Sequence, residues 1–148
     1  MNIEDTINKG ISILQKNKIP NPQLDSEMLL SSLIKRDKKY IILNPKEILN
    51  SEKLGKFKSL IERRKKREPI AYLIKKKEFW KEEFFVNKDV LIPRPDTEII
   101  IEQVLKIYSK YVQLQVLDIG TGSGCILLSI LKERPNFYGT GIDISKKS

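Results

Sequence analysis

The sequence predicts an α/β chain in three successive parts: an N-terminal helical bundle, a β-hairpin linker and the start of a Rossmann-like domain. Residues 1–68 carry apolar side chains at helical spacing. Residues 69–92 are rich in aromatic and β-branched residues, which favour strands. From residue 93 onward, an apolar run, a glycine-rich loop, a helical run and a second apolar run follow one another, as in a strand–loop–helix–strand unit. We therefore expect domains over 1–68 and 93–148, joined by a linker over 69–92.

Composition limits the possible classes of protein. The 148 residues include 40% hydrophobic and 32% charged residues, which are globular values. The net charge of +9 permits an acidic or nucleic-acid partner, but codon bias towards Lys, Ile and Asn would produce the same charge. One cysteine and no histidine exclude an internal disulfide and the usual structural zinc sites, so we expect no metal. No signal peptide or membrane-spanning run is apparent, and a cytoplasmic protein is expected.

Four or five helices are predicted for the first 68 residues. The first has an apolar stripe, with Thr6 on the opposite face; the stripe comprises Ile3, Ile7, Ile11 and Leu14. The Asn-Pro pair at residues 21–22 is typical of a helix start, and Asp37 is expected to open a short third helix. Apolar spacing over residues 45–69 predicts two more helices, separated near residues 50–55.

The basic run from Arg63 to Arg67 has two interpretations. It can meet RNA or an acidic protein surface. Alternatively, it is the solvated last turn of a helix, where cations interact favourably with the C-terminal end of the helix dipole. We favour the second interpretation because no aromatic residues alternate with the cations to stack on bases. Direct nucleic-acid binding stays open.

The segment after the hairpin is stiff. Pro93 and Pro95 fix an extended backbone, and Asp96 or Thr97 can cap a helix that runs to Tyr108. Such a segment is at least a rigid linker, and its charged and hydroxyl groups can also form one wall of a pocket beside the glycine-rich loop.

The glycine-rich loop is the strongest functional signal. Gly120, Gly122 and Gly124 alternate directly after the apolar run that carries Asp118. Glycine permits a sharp turn and a close approach of ligand to backbone, and the following helix directs free N–H groups into the crevice. Asp143 follows about twenty residues later, where an acid can bind ribose hydroxyls. The alternative is a tight turn that binds nothing, but the two spaced acids favour a nucleoside-containing cofactor.

The spacing discriminates among cofactors. A dinucleotide-binding fingerprint would place its third glycine where Cys125 stands. The Gly-Lys-Ser/Thr sequence that ends a P-loop motif does not occur. A carboxylate beside the loop attracts a cationic cofactor and repels a pyrophosphate. The pattern from Asp118 to Gly124 resembles motif I of the S-adenosylmethionine-dependent methyltransferases, with Asp143 as their acid after the second strand.

Four segments together resemble the HemK/PrmC family, which methylates the side-chain amide of the glutamine in the Gly-Gly-Gln motif of peptide-chain release factors. The segments are residues 68–73, 79–86, 91–98 and 118–125. The most discriminating part is Pro93-Arg94-Pro95-Asp96-Thr97-Glu98, since all class I methyltransferases share the glycine loop. The resemblance implies a helical domain that holds the release factor, a β-hairpin and a class I (Rossmann-like) methyltransferase domain that uses S-adenosylmethionine.

The resemblance also implies site residues. The glycine loop would contact the amino-acid moiety of the cofactor, Asp143 its ribose and Asp118 the region of its amino group, while Thr97 and Glu98 would lie on the cofactor side of the pocket. The cofactor-contacting residues are then Gly120, Thr121, Gly122, Ser123, Gly124, Asp143, Asp118 and Thr97. No residue is expected to act as a catalytic nucleophile, and Cys125 is expected to pack at the start of the helix.

Two departures from the family pattern are visible. Lys75 stands where the family usually has glycine, and the family's Asn-Pro-Pro-Tyr motif, which orients the glutamine amide, does not occur. We therefore expect an N-terminal fragment of a longer enzyme, or a truncated reading frame, that is inactive alone. Two alternatives stay open: methylation of adenine in nucleic acid or of a ribosomal protein, and a non-catalytic module that binds release factors. A dehydrogenase is disfavoured by the glycine spacing.

Overall fold

The computed structural model describes residues 1–146. The chain divides into two compact units, Met1–Ile74 and Lys75–Ser148, and each is described by itself. The predicted α/β class is confirmed, with N-terminal helices, a small antiparallel hairpin and the start of a parallel sheet. Within residues 1–146, no helix has the length and apolar character needed to cross a membrane.

The first unit is a bundle of short helices, as predicted. Its helices are α1 (Ile3–Lys16), α2 (Pro22–Ile34), α3 (Lys38–Leu43), α4 (Ser51–Lys65) and α5 (Ile70–Ile74). Three of them begin at a polar cap: the side chains of Asn2, Asp37 and Asn50 each accept a hydrogen bond from the N–H group three residues later. Each cap satisfies a backbone donor that the first helical turn leaves free. The core between the helices includes Ile3, Leu14, Leu29, Leu30 and Ile61.

Gly10 lets α1 pack closely against its neighbours. A β-carbon built on Gly10 would lie 2.9 Å from Ser26 Oγ, 3.0 Å from Phe57 Cζ and 3.1 Å from Ile61 Cδ1. These distances are shorter than ordinary contacts, so any side chain at position 10 would push α1 away from α2 and α4.

Two expectations for this unit are wrong. Thr6 does not face solvent but is fully buried, because its hydroxyl donates a 2.6 Å hydrogen bond to the Asn2 carbonyl and is thereby satisfied. No helix forms between Pro45 and Asn50. That segment pairs with the N-terminus instead: the N–H of Leu49 donates to Met1 O, and Ile3 N–H donates to Glu47 O.

The basic run lies at the end of α4, where several of its cations are paired. Arg64 Nε lies 2.7 Å from Asp25 Oδ2 on α2, and its Nη1 donates to the Glu68 carbonyl. Arg63 pairs with the Glu68 carboxylate and Lys65 with Glu62. These contacts support the interpretation of the run as a helix end.

The second unit contains the hairpin and the parallel strands. Its elements are β1 (Lys76–Phe79), β2 (Glu82–Phe85), a 3₁₀ turn (Pro95–Thr97), α6 (Glu98–Ile107), β3 (Leu114–Ile119), α7 (Cys125–Glu133) and β4 (Phe137–Ile142). β1 and β2 are antiparallel, and β3 and β4 are parallel with Val116 opposite Gly139. Phe79, Phe84, Ile101, Cys125, Ile130 and Phe137 form the core.

The predicted hairpin is confirmed, but it starts later than expected. Residues 70–74 form the helix α5 and not a strand, although they are β-formers by propensity. Leu73 is buried in the core of the helical unit, with Ile70 and Ile74 packed against that core. Burial in a helical core thus outweighs the β propensity of this segment. Residues 69–74 of the expected linker belong to the first unit and residues 75–92 to the second.

The hairpin turn is attached to two helices of its unit through Trp80. This residue has a positive φ of 57°, and its N–H donates a 2.7 Å hydrogen bond to Glu98 Oε1 at the start of α6. Its indole Nε1 donates to Glu133 Oε1 at the end of α7, 2.8 Å away. Hydrogen bonds from Lys81 and from Trp80 hold the pKa of the Glu133 carboxyl below its usual value.

Replacement of Arg64 by Ala is expected to lower the free energy of unfolding by about 3 kcal/mol, because the Asp25 carboxylate would remain buried without its cation. The matched control is Arg63→Ala. That pair is more exposed, and its loss is expected to cost less than about 1 kcal/mol. Urea denaturation followed by circular dichroism measures both. Equal losses for the two variants would contradict a structural role specific to Arg64.

The two glycines of α1 and α4 are expected to respond oppositely to alanine. Gly10→Ala should destabilise the helical unit by about 1 kcal/mol, since overpacking outweighs the gain in helix propensity. Gly55→Ala should stabilise the unit by up to about 1 kcal/mol, because a β-carbon there meets no atom within 4 Å. Thermal denaturation of both variants tests this, and stabilisation by Gly10→Ala would disprove close packing at position 10.

Candidate cofactor site

The glycine loop connects the end of β3 to the first residue of α7. Gly120, Gly122 and Gly124 all have positive φ angles, of 78°, 54° and 75°. Residues with a β-carbon rarely adopt this region, so the alternating glycines are what allow the chain to turn here. The N–H of Gly124 donates a 2.8 Å hydrogen bond to the Thr121 carbonyl, which closes the turn directly before the helix.

The backbone of the loop borders open space. A β-carbon added to Gly120 would meet no atom within 4 Å, and one added to Gly122 would reach only Val90, at 3.8 Å. The glycines are thus required by the backbone angles and not by crowding at these two positions. The space beside them is available to a ligand that approaches the backbone closely.

Both acids proposed for the site are hydrogen-bonded to the loop or to its flank. Asp143 Oδ2 accepts a 2.8 Å hydrogen bond from the Gly122 N–H, and its Oδ1 accepts from the Ser145 N–H at 2.8 Å. Asp118 Oδ2 accepts from the Thr121 hydroxyl at 2.9 Å. The structure therefore brings Asp118, Thr121, Gly122 and Asp143 together. An ionised carboxylate has about four acceptor positions, so one carboxylate can accept hydrogen bonds from the protein and from a ligand together.

Thr97 is the last residue of the 3₁₀ turn. Its N–H donates to the Arg94 carbonyl, and across residues 1–146 its side chain makes no hydrogen bond to the glycine loop. Its assignment to the cofactor stays a prediction. The carboxylate of the neighbouring Glu98 accepts the hydrogen bond from the hairpin turn at Trp80, and its place on the cofactor side of the pocket also stays a prediction.

Sequence reasoning missed the contribution of β4 to this site. A β-carbon on Gly141 would lie 3.0 Å from Thr121 Oγ1, and one on Gly139 would lie 2.8 Å from both Leu127 and Leu131. Glycine at these positions lets the loop and α7 pack against the strand. The available signal was glycine inside an apolar strand, which marks a close approach of another element.

Cys125 packs as expected. It is the first residue of α7 and is buried in the core of the second unit. Burial raises the pKa of its thiol above the usual value, so the reactive thiolate is disfavoured.

Comparison with known proteins points to one family. Residues 5–74 match the family model described as the PrmC N-terminal domain. The release factor glutamine methyltransferase of Coxiella burnetii is 42% identical over 93% of this chain and 50% of its own length. The corresponding enzyme of Caulobacter vibrioides is 39% identical over 88% of the chain and 45% of its own length. A bifunctional methyltransferase of Rickettsia bellii is 39% identical over 97% of the chain and 30% of its own length.

The chain thus spans between 30% and 50% of the length of these curated relatives. The similarity includes both the helical unit and the strand–loop–helix unit, because it extends over most of the chain. The resemblance to the HemK/PrmC family that the sequence motifs predicted is therefore confirmed.

Proposed function

We propose that this chain binds S-adenosylmethionine and serves the methylation of the glutamine side-chain amide in the Gly-Gly-Gln motif of peptide-chain release factors. One observation carries the proposal. The Asp143 carboxylate is hydrogen-bonded to the backbone of the glycine loop at Gly122, and open space borders the same loop at Gly120. A carboxylate fixed at the carboxyl end of a parallel strand, next to exposed loop backbone, suits a nucleoside.

The residues present fit this cofactor. The backbone from Gly120 to Gly124 would hold its amino-acid part, Asp143 would accept hydrogen bonds from its ribose hydroxyls, and Asp118 would lie on the side of its amino group. When bound, the cofactor supplies an electrophilic methyl group on a sulfonium. Two carboxylates at the loop stabilise a cationic ligand electrostatically. The same two charges disfavour the pyrophosphate of a dinucleotide.

The acceptor of the methyl group is proposed from the names of the proteins to which this chain is similar. Coxiella burnetii and Caulobacter vibrioides proteins similar to this chain are named release factor glutamine methyltransferases. The helical unit, whose residues 5–74 match the PrmC N-terminal domain, would hold the release factor, as the family resemblance implies. Methyl transfer to an amide needs no covalent nucleophile, and the buried thiol of Cys125 agrees with this.

Titration of the chain with S-adenosylmethionine by isothermal calorimetry is expected to detect binding. Asp143→Ala should weaken it by about 1–3 kcal/mol, the range for lost hydrogen bonds to a charged group. Asp143→Asn retains an acceptor without the charge and should have an intermediate effect. The matched control is Glu102→Ala, an exposed acid on α6. Affinity that is unchanged by Asp143→Ala would remove this carboxylate from the site.

The identity of the methyl acceptor is tested in a methylation assay that uses the gene product containing this sequence. Incubation with S-adenosylmethionine and a peptide-chain release factor should add one methyl group to the Gly-Gly-Gln glutamine, as seen by mass spectrometry of the digested factor. A release factor with Asn in place of that glutamine should remain unmodified. Methylation of adenine in RNA or DNA, with the release factor unchanged, would replace this proposal by the nucleic-acid alternative.

A further inference from the structure

An apolar groove runs between α1 and α4 in the helical unit. It encloses about 410 Å³ and is lined by Ile13 from α1 and by Phe57 and Ile61 from α4, with Gly10 at its base. Because Gly10 has no side chain, the two helices approach closely there. This cavity lies within the size range of ligand sites, and the residues that form it are separate from the glycine loop.

The groove is accessible from outside at Gly55. This residue lies on the exposed surface of α4, and a β-carbon added to it would meet no atom within 4 Å. Glycine in a helix interior costs about 1 kcal/mol relative to alanine. The local fold does not require glycine at position 55, because Gly55 has no positive φ and no neighbouring atom would crowd a β-carbon there.

The length of the groove corresponds to two turns of a docked helix. Its α4 side extends from Leu54 to Ile61, seven residue steps and therefore about 10 Å along the helix axis. Positions i and i+7 of a helix are separated by the same distance, and they are the anchors by which amphipathic helices bind in grooves. An apolar residue at each end, with another between them, would occupy the whole groove.

Two cations border the groove. Lys9 on α1 and Lys58 on α4 line it, and both are exposed. Within residues 1–146, neither ammonium group has a carboxylate within 4.0 Å. An apolar groove with an unneutralised cation on each helix complements an apolar surface with carboxylates at its edges.

We propose that this groove docks an amphipathic helix of a partner protein. The helix would carry apolar residues at i, i+3 or i+4 and i+7, and Asp or Glu beside them. The apolar residues would fill the space along Phe57 and Ile61, while the carboxylates would pair with Lys9 and Lys58. This docking does not depend on methyl transfer or on a bound cofactor.

Peptide display against the intact chain tests the proposal. The library consists of 16-residue helical peptides, randomised at one apolar face and at its flanks, with counter-selection on the Gly55→Trp variant. Selected peptides are expected to carry large apolar residues at the stated spacing and to be acidic at the flanks. Failure to enrich any peptide over the Gly55→Trp chain, or enrichment of basic flanks, would overturn the proposal.

The most enriched peptide is then titrated by fluorescence anisotropy. Gly55→Trp and Gly55→Leu are expected to weaken its binding at least tenfold by filling the groove, while Gly55→Ala should leave it within twofold. The double variant Lys9→Glu, Lys58→Glu should weaken it about tenfold, and Lys53→Glu, on α4 outside the lining, should have little effect. Circular dichroism verifies that each variant is folded.

Palmitate, a small amphipathic acid, is tested as the alternative occupant of the groove. A peptide that stays bound when palmitate is added supports the proposal. If the chain binds palmitate and no peptide is selected, the proposal is contradicted. Titration of the same variants with S-adenosylmethionine distinguishes this result from the proposed function. A loss of peptide binding with cofactor affinity intact would establish that the groove acts independently.

Discussion

The left-handed backbone of the glycine loop is the constraint on which the second unit depends. With positive φ at three alternating positions, the chain leaves β3, turns and enters α7 within a few residues. The same turn directs the N–H groups of Gly120 and Thr121 to the carbonyl of Ile142 at the end of β4, at 2.8 and 3.0 Å. The loop is thus held by the adjacent strand, and the Asp143 carboxylate completes that attachment at Gly122. A site with its ligand-facing backbone held in this way needs little reorganisation on binding.

Close approach through glycine recurs in both units. Gly10 admits α1 between α2 and α4, and Gly139 admits Leu127 and Leu131 of α7 onto the parallel strands. In each case the absent side chain leaves room for apolar atoms of a neighbouring element. Gly55 differs, because nothing occupies the space beside it. Gly55 lines the groove between α1 and α4, which is open on this side.

Several elements were predictable because their signals are local. Asp37 and the Asn-Pro pair at 21–22 mark helix starts through the chemistry of the first helical turn, and both were recognised from the sequence. The alternating glycines, followed by a second acid, indicated the loop and its neighbouring strand. The errors concern residues whose environment is set by how the helices pack. Thr6 faces the interior of its unit, where the Asn2 carbonyl satisfies its hydroxyl, and residues 70–74 are helical because they pack on the helical core.

The sequence by itself determined the α/β class, the helical bundle, the hairpin and the order strand, glycine loop, helix, strand. These follow from periodicity, caps and glycine spacing, all of which act over a few residues. Tertiary structure alone decided that Asp143 bonds to Gly122, that Glu98 binds the turn at Trp80, and that two lysines flank an open apolar groove. Those contacts join residues far apart in the chain, and their geometry depends on how whole elements pack, which no local pattern specifies.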